Sequence, residues 1–454
     1  MLRLSVSRLP TYRLNPGGEE QGMAHRSAVN EKRSPNRLKM SAHLRRAASK
    51  AGRERGAKPG RTWFRVVIEL KRKPTKARIR AMRRGACSCD EHFRILRRMP
   101  HVKALSARLS LAGLRKLCGH KDVVKVHLDR KLRISLNVAT PSIGAARLQS
   151  RGITGKGVTI AIIDTGAYPH PDLTKPRNRI VAFKDIIGKR KKPYDDNGHG
   201  THVAGDAAGN GYSSKGKFKG PASRARLVIV KAFDARGDAD SSDVVAAVDW
   251  ILRNRKKYNI RLVNMSFGTG GVSRCADDPV CRAAERAWKA GLVVVAAAGN
   301  AGPGARTIES PGISPLLITV GAVNDRGTVK QSGDTIASFS GRGPVAGNRV
   351  KPDLVAPGVR IISLRAPGSF LDRTDPSARV GKNYFRLTGT SMATPIVTGG
   401  AAQLLQCNPR LAPGRVKRLL LANAFRLQAG ANAQGSGELN MRFLLAKKRL
   451  STAK

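Results

Sequence analysis

Residues 158–166, VTIAIIDTG, decide the fold. The β-branched, largely apolar run 158–163 ends in a carboxylate, Asp164, followed by the turn residue Gly166. A strand that is apolar on both sides belongs in a parallel sheet covered on both faces. Working outward, similar runs recur: RLVIVKAF at 226–233, RLVNMSF at 261–267, LVVVAAAG at 292–299 and LLITVGAV at 316–323. Between them lie helical patterns such as SSDVVAAVDWILRNRKK and DDPVCRAAERAWKAG. This alternation predicts an α/β fold with a largely parallel sheet and helices on both faces. Such folds present side chains to a cleft where strands end and helices begin.

Two further stretches share this placement. DDNGHGTHVAG surrounds His199, and LTGTSMATP surrounds Ser391. With Asp164 they supply an acid, a base and a nucleophile. A serine hydroxyl attacks poorly until a base takes its proton, and the base needs a carboxylate to orient it. Ser391 opens the helical run SMATPIVTGGAAQLL, with Pro395 expected in its first turn, where a missing N–H costs little. A helix N-terminus beneath the serine favours developing negative charge. Taken singly, an Asp after a strand, a Ser before a helix or an Asn in a glycine-rich loop is an ordinary structural feature. Their joint occurrence inside extended motifs points to catalysis. His202, three residues after His199, is expected to pack, and His170, in YPHPDL, to be a loop residue. No HExxH or paired CxxC indicates a catalytic metal.

Composition sets the limits. The 454 residues can hold two or three domains. There are 85 Lys+Arg against 30 Asp+Glu, net +55. Residues 1–140 carry 36 basic and 9 acidic side chains, so this segment is about twice as basic per residue as the rest. Such a field attracts polyanions. No aromatic-interleaved RNA platform or zinc-finger pattern accompanies it, which favours a solvated, Arg-rich surface. No apolar run reaches the roughly 18 residues of a membrane span. The first twenty residues lack a signal-peptide apolar core, so the expected location is cytoplasmic, or outside by a non-standard route; Met23 and Met40 are alternative starts. Six cysteines, Cys87, Cys89, Cys118, Cys275, Cys281 and Cys407, make no disulfide scaffold. Cys87-Ser-Cys89 is too tight for a zinc-finger pair. Cys275 and Cys281 either bridge a loop or stay free, with free thiols expected.

The chain divides by pattern. Residues 1–61 read as a disordered basic segment. Residues 62–134 read as a small folded module, with strands in TWFRVVIEL and HVKALSARLS, a helix in LAGLRKLCGH and one strand in VVKVHLDRKLRI. Residues 135–150 read as a connector, 151–445 as the main domain and 446–454 as a basic tail.

The motifs around Asp164, His199 and Ser391, in that order, together with ATPSIGA, YPHPDLTKP, TIESPGI and SLRAP, resemble the subtilisin family of serine endopeptidases (subtilases, S8), the AprX-type bacterial members in particular. The resemblance covers about residues 135–445 and implies a subtilisin-like three-layer fold. It implies that Asp164, His199 and Ser391 form the triad, and that Asn300 binds the oxyanion. In subtilisin itself, losing that donor costs about 10²–10³ in turnover. It places Gly237, Asp238 and Ala239 on an edge that pairs with extended substrate. Ala239 departs from the usual Gly-Ser-Gly, and Asp238 with Asp240 makes the rim acidic. Ser266, Phe267 and Gly268, with Ala297, Ala298 and Gly299, would wall the specificity pocket, and Glu309 would lie at its floor, favouring Arg or Lys. Alternatively Glu309 pairs with Arg306 or faces solvent.

Residues 62–134 resemble the family's inhibitory propeptide, a ferredoxin-like α+β module. It is then expected to assist folding, occupy the cleft and be released by self-cleavage between about Lys131 and Ser142; a permanent binding domain is the competing reading. No cofactor is required. Calcium, common in relatives, lacks a carboxylate set in the basic loop AGNGYSSKGKFKG. Expected partners are protein or peptide substrates, the chain's own propeptide and nonspecific polyanions on the basic arm, with the protein a monomer. The runner-up function is a non-catalytic polyanion-binding protein on a subtilase scaffold.

Overall fold

Within the run 158–164, residues 159–164 form a strand buried along its whole length in the computed structural model, which describes residues 39–41, 44–45, 47–49, 63–86, 93–129, 131–134 and 142–445. This strand, β6 (Thr159–Asp164), lies inside an eight-stranded sheet. The others are β7 (Ile180–Asp185), β8 (Arg226–Lys231), β10 (Ile260–Met265), β12 (Val293–Ala297), β13 (Ile318–Asn324), β14 (Thr335–Ile336) and β15 (Leu354–Pro357). The order is β14-β13-β12-β10-β6-β8-β7, with β15 also on β13. Every pairing is parallel except β13 with β14.

Alternation along the strands builds two cores. Ile160 and Ile162 pack with helices α3 (His199–Ala208) and α6 (Thr390–Cys407). Ala161 and Ile163 face the other way, toward α4 (Ser241–Asn254) and α5 (Pro279–Lys289). Period-two side-chain direction thus yields the expected three layers.

The N-terminal module is β1 (Trp63–Leu70), α1 (Lys76–Ala86), β2 (Phe93–Met99), β3 (Ala104–Ser110), α2 (Leu111–Gly119) and β4 (Val123–Leu128). Its antiparallel sheet runs β2-β3-β1-β4, a ferredoxin-like arrangement. Ser110 caps α2 by accepting from Gly113 N–H at 3.1 Å. One sheet face carries the module's own core; Val67, Met99, Val102 and Ala104 of the other join the core around α4. Polar contacts reinforce this seam. Arg97 pairs with Asp243, Lys125 with Asp277, and Glu69 with both Arg282 and Arg286.

Several expectations need correction. The segment 1–61 is not uniformly outside the fold, because Met40 and Leu44 are buried in the module's core; residues 1–38 lie outside the described residues. The expected single strand VVKVHLDRKLRI is two. Asp129 accepts from Ser242 N–H at the start of α4 (2.7 Å) and from Arg65 Nε (2.8 Å), which draws the chain out of the module sheet. The second strand, β5 (Lys131–Ile134), belongs to another sheet. The pattern reading missed α1 and β2. In KARIRAMRRGA, only Ile79 and Met82 mark an apolar face. Part of the expected connector is built into the main body, where Ser142 and Ile143 are buried and Ala145–Ser150 is helical. Residues 135–141 and the tail 446–454 lie outside the described residues, as do Cys87 and Cys89. Pro395 is the sixth residue of α6, beyond the first turn, so Ser391 C=O lacks its usual helical donor. Cys275 and Cys281 are bonded as a disulfide rather than free. Among the described residues no helix is long and apolar enough to cross a membrane.

Candidate active site

Three element termini carry the candidate residues. Asp164 closes β6, His199 opens α3, and Ser391 is the second residue of α6. Helices α3 and α6 pack on each other. The Asp164 and His199 side chains are fully buried, and His199 Nδ1 lies 2.7 Å from Asp164 Oδ1. With Nδ1–H donating to that carboxylate, Nε2 is left as the basic nitrogen. Thr165 N–H donates to the same oxygen at 2.8 Å. Ser391 is 1% exposed.

The sequence around His199 explains its placement. Gly198 has φ +106°, a conformation that favours glycine. A Cβ on Gly200 would run into Gly166 C=O, so α3 sits directly on the Asp164–Gly166 turn. Asp195 gathers donors from the helix start, while His199 N–H goes to Asn197 Oδ1 (3.1 Å) and Gly200 N–H to the Thr165 hydroxyl oxygen (2.8 Å). Asp195 Oδ1 accepts from Gly198 N–H (2.8 Å), Asn197 N–H (3.1 Å) and the Thr165 hydroxyl (2.9 Å), and its Oδ2 from Thr201 N–H (2.8 Å) and hydroxyl (2.7 Å).

Lys231, buried at the end of β8, donates to Thr165 C=O (2.6 Å), Asp196 Oδ1 (2.7 Å) and Phe233 C=O (2.8 Å). It ties the turn after Asp164 to the loop before His199. The sequence reading missed Asp195 and Lys231 as supports. A lysine closing an otherwise apolar strand run was the signal available for Lys231.

Asn300 is held from the other side. Its Oδ1 accepts from Thr390 N–H (2.9 Å) and the Thr390 hydroxyl (3.2 Å), which leaves Nδ2 as the side chain's donor. Thr390, also unassigned from sequence and the residue before Ser391, ties the start of α6 to the loop of Asn300; its hydroxyl oxygen accepts from Gly299 N–H at 3.2 Å. His202 packs as expected. Its Nδ1 meets Asp206 Oδ2 at 2.9 Å, and its Nε2 lies near the Ile361 and Phe385 carbonyls. His170 is a loop residue, as expected, but not a solvent-facing one. It is buried, caps the short helix Pro171–Thr174, and burial lowers its pKa.

The expected substrate edge is β9 (Asp238–Asp240), preceded by Gly237, and part of the expected pocket wall is β11 (Phe267–Gly268). Both are paired antiparallel with β5. Lys131 faces Asp240, Leu132 faces Ala239, and Arg133 faces both Asp238 and Gly268; Ile134 faces Phe267. Ser266 is buried, and its hydroxyl oxygen accepts from Asn264 Nδ2 at 2.9 Å. Ala297 and Ala298 are buried at the end of β12, and Ala298 C=O accepts from Glu309 N–H at 2.9 Å.

The Glu309 side chain lies between Gly268 and Gly299, neither of which has room for a Cβ. It borders a cavity of about 510 Å³ together with Gly270, Val272, Ala301 and Arg306. Burial raises the Glu309 carboxyl above its usual range, and a hydrogen bond from the Asn300 backbone opposes the rise. Among the described residues no ion pair joins it to Arg306. Near the basic loop 208–220, the Asp172 carboxylate is already engaged by Ser213 N–H (2.8 Å) and the Tyr384 hydroxyl (2.7 Å).

Comparison with known proteins places the chain in a family. The family model described as the Subtilase family matches residues 155–442. The chain is 43% identical to Serine protease AprX of Bacillus subtilis (strain 168) over 360 residues, covering 77% of this chain and 81% of that protein. It is 31% identical to Subtilisin E of the same organism over 355 residues, covering 77% and 82%. Thermostable alkaline protease of Halalkalibacterium halodurans is 30% identical over 338 residues, covering 74% and 81%. Among solved structures, fervidolysin from Fervidobacterium pennivorans, a keratinolytic enzyme related to subtilisin, matches with a TM-score of 0.67 at 22% identity. That match covers 86% of this chain, which spans 62% of the solved chain, and it shows the fold.

Proposed function

The chain belongs to the subtilase family and is a serine protease, and from this premise we propose that it is a self-processing endopeptidase with Ser391, His199 and Asp164 as its triad. Ser391 Oγ attacks the scissile carbonyl carbon while His199 Nε2 takes the hydroxyl proton. The tetrahedral oxyanion receives N–H bonds from Asn300 Nδ2 and the Ser391 backbone. Collapse breaks the C–N bond, and the imidazolium returns its proton to the leaving amine. Water then repeats the attack on the acyl-enzyme with the same base. Asp164 holds Nδ1–H and steadies the transient positive charge. The observation that carries this reading is the 2.7 Å contact between His199 and Asp164 in a fully buried setting.

The pairing of β5 supports the precursor reading. Part of the chain already lies antiparallel between the expected substrate edge at Asp238–Asp240 and the expected pocket wall at Phe267–Gly268, as an extended peptide would. The next described residue, Ser142, is buried in the main domain. Cleavage between Lys131 and Ser142 would free the module while leaving the main domain whole. Glu309 between its two glycines supports a preference for Arg or Lys before the scissile bond. No observation favours the non-catalytic polyanion-binding reading.

A fluorophosphonate probe tests the central assignment. One adduct, on Ser391, is expected, and it should vanish in Ser391→Ala. A processed protein that takes no label, or takes it on another residue, overturns the assignment.

A further inference from the structure

We propose that the Cys275–Cys281 disulfide positions the segment carrying Glu309 and thereby sets the selectivity of the pocket for basic side chains. The inference rests on the assignment of Glu309 to the specificity pocket. The bridge closes the turn that leads into α5. Both residues following Glu309 rest on this turn. The Ser310 hydroxyl donates to Asp278 Oδ2, and Cys281 Sγ lies 3.7 Å from Pro311 C=O. Asp278 is itself fixed, because its Oδ1 accepts from Val280 N–H at 3.0 Å as the cap of α5.

On the opposite side, Ser310 exchanges both backbone hydrogen bonds with Thr269, at 3.0 and 3.1 Å, just beyond β11. The Glu309 segment is therefore clamped between the wall at 267–269 and the bridged turn. Val272, Cys281, Ile308 and Ile313 form one buried cluster, and three of the four also border the cavity. A carboxylate selects a guanidinium by geometry, so a shift of its backbone is felt directly in binding. The contacts given above for Ser310, Pro311 and Asp278 run to residues other than Asp164, His199 and Ser391. Loss of the clamp is expected to change KM for a basic substrate while leaving the chemical step in place.

Reduction by a dithiol is the natural perturbation. The reductant supplies two electrons and two protons, the S–S bond breaks, two thiols form, and the dithiol closes to its own cyclic disulfide. Processed enzyme is compared before and after dithiothreitol, and beside Cys275→Ser/Cys281→Ser. Substrates are peptides with Arg or Leu before the scissile bond, plus a small acetyl ester that does not reach the pocket. The expected result is an Arg-over-Leu preference reduced about tenfold through KM for Arg, with ester turnover kept and reoxidation restoring the preference.

A preference within about twofold of the parent in reduced enzyme overturns the proposal. So does a loss of peptide and ester turnover together, which marks a general structural role. If the double variant fails to fold, reduced parent enzyme decides. Glu309→Gln, run in parallel, separates the two readings. If it leaves the Arg preference intact, the pocket reading fails. If it abolishes the preference while reduction does not, only the role of the disulfide fails.

Discussion

Glu309 shows how much one side chain adds to a common scaffold. Its carboxyl is raised by burial and opposed by a backbone N–H, so it ionises later than an exposed glutamate as pH rises. Only the charged form pairs with an incoming guanidinium. Cleavage after Arg is therefore expected to weaken as pH falls through the raised pKa of Glu309, over a range where cleavage after Leu follows the triad alone. The ratio of kcat/KM for the two peptides against pH checks this; a flat ratio from neutral to acid pH would refute it. Glu309→Gln is expected to flatten the ratio and to cost Arg substrates about 10–100-fold, the equivalent of one charge-assisted contact. The residue was visible in the sequence, but its choice between pocket, Arg306 and solvent was not. The position of its side chain depends on Gly268 and Gly299, which leave it a slot.

At the scale of elements, the placement of His199 depends on a cap that pattern reading did not assign. Helix α3 opens after a glycine with a left-handed backbone and has no capping side chain at that position. Asp195, four residues before His199, gathers five donors from the helix start and from Thr165. Asp195→Ala strands those donors in a buried setting. A loss of about 2 kcal/mol or more in stability is expected, with kcat falling because the base no longer sits squarely on Asp164. Thermal denaturation and active-site-titrated kcat measure the two effects; unchanged kcat would show that His199 is positioned by other contacts.

The strand β5 is the converse case. Its residues read as a continuation of β4, because a period of two does not say which sheet a strand joins. Asp129, bonded at the start of α4, makes that decision through a contact more than a hundred residues away in sequence.

For the whole molecule, the seam between the module and the main domain is what the proposed self-processing would have to release. Ser391→Ala is expected to remain at full mass, while the parent yields a main-domain fragment beginning between Lys131 and Ser142. Equal products from both proteins would exclude self-processing. Within the seam, burial would raise the Glu69 carboxyl, but His127, Arg282 and Arg286 hold it down at about 2. A depressed folded pKa stabilises docking above the ordinary carboxylate value and loses that support only as pH falls toward 2. Mild acid is thus not expected to loosen the seam through Glu69. Glu69→Gln, in the Ser391→Ala background, leaves two partly buried guanidinium groups without their anion. It is expected to weaken docking by about 2–3 kcal/mol, read as faster hydrogen exchange in residues 63–70 and 104–110. Parent-like protection there would show that the apolar contacts of Val67, Met99 and Ala104 suffice.

Sequence by itself determined the layered architecture, since uninterrupted apolar strands alternating with amphipathic helices have few other ways to bury their faces. It also determined the acid, base, nucleophile and oxyanion-donor candidates, because their chemistry restricts both residue type and local motif. Only the tertiary structure decided that β5 leaves the module, that Leu44 completes the module's core, that Cys275 and Cys281 are joined, and that Glu309 lies between two glycines. The first two and the last depend on contacts between segments separated in the chain, where local periodicity carries no information about the partner; the disulfide spans only six residues, and there the residue types read the same whether the thiols are free or bonded.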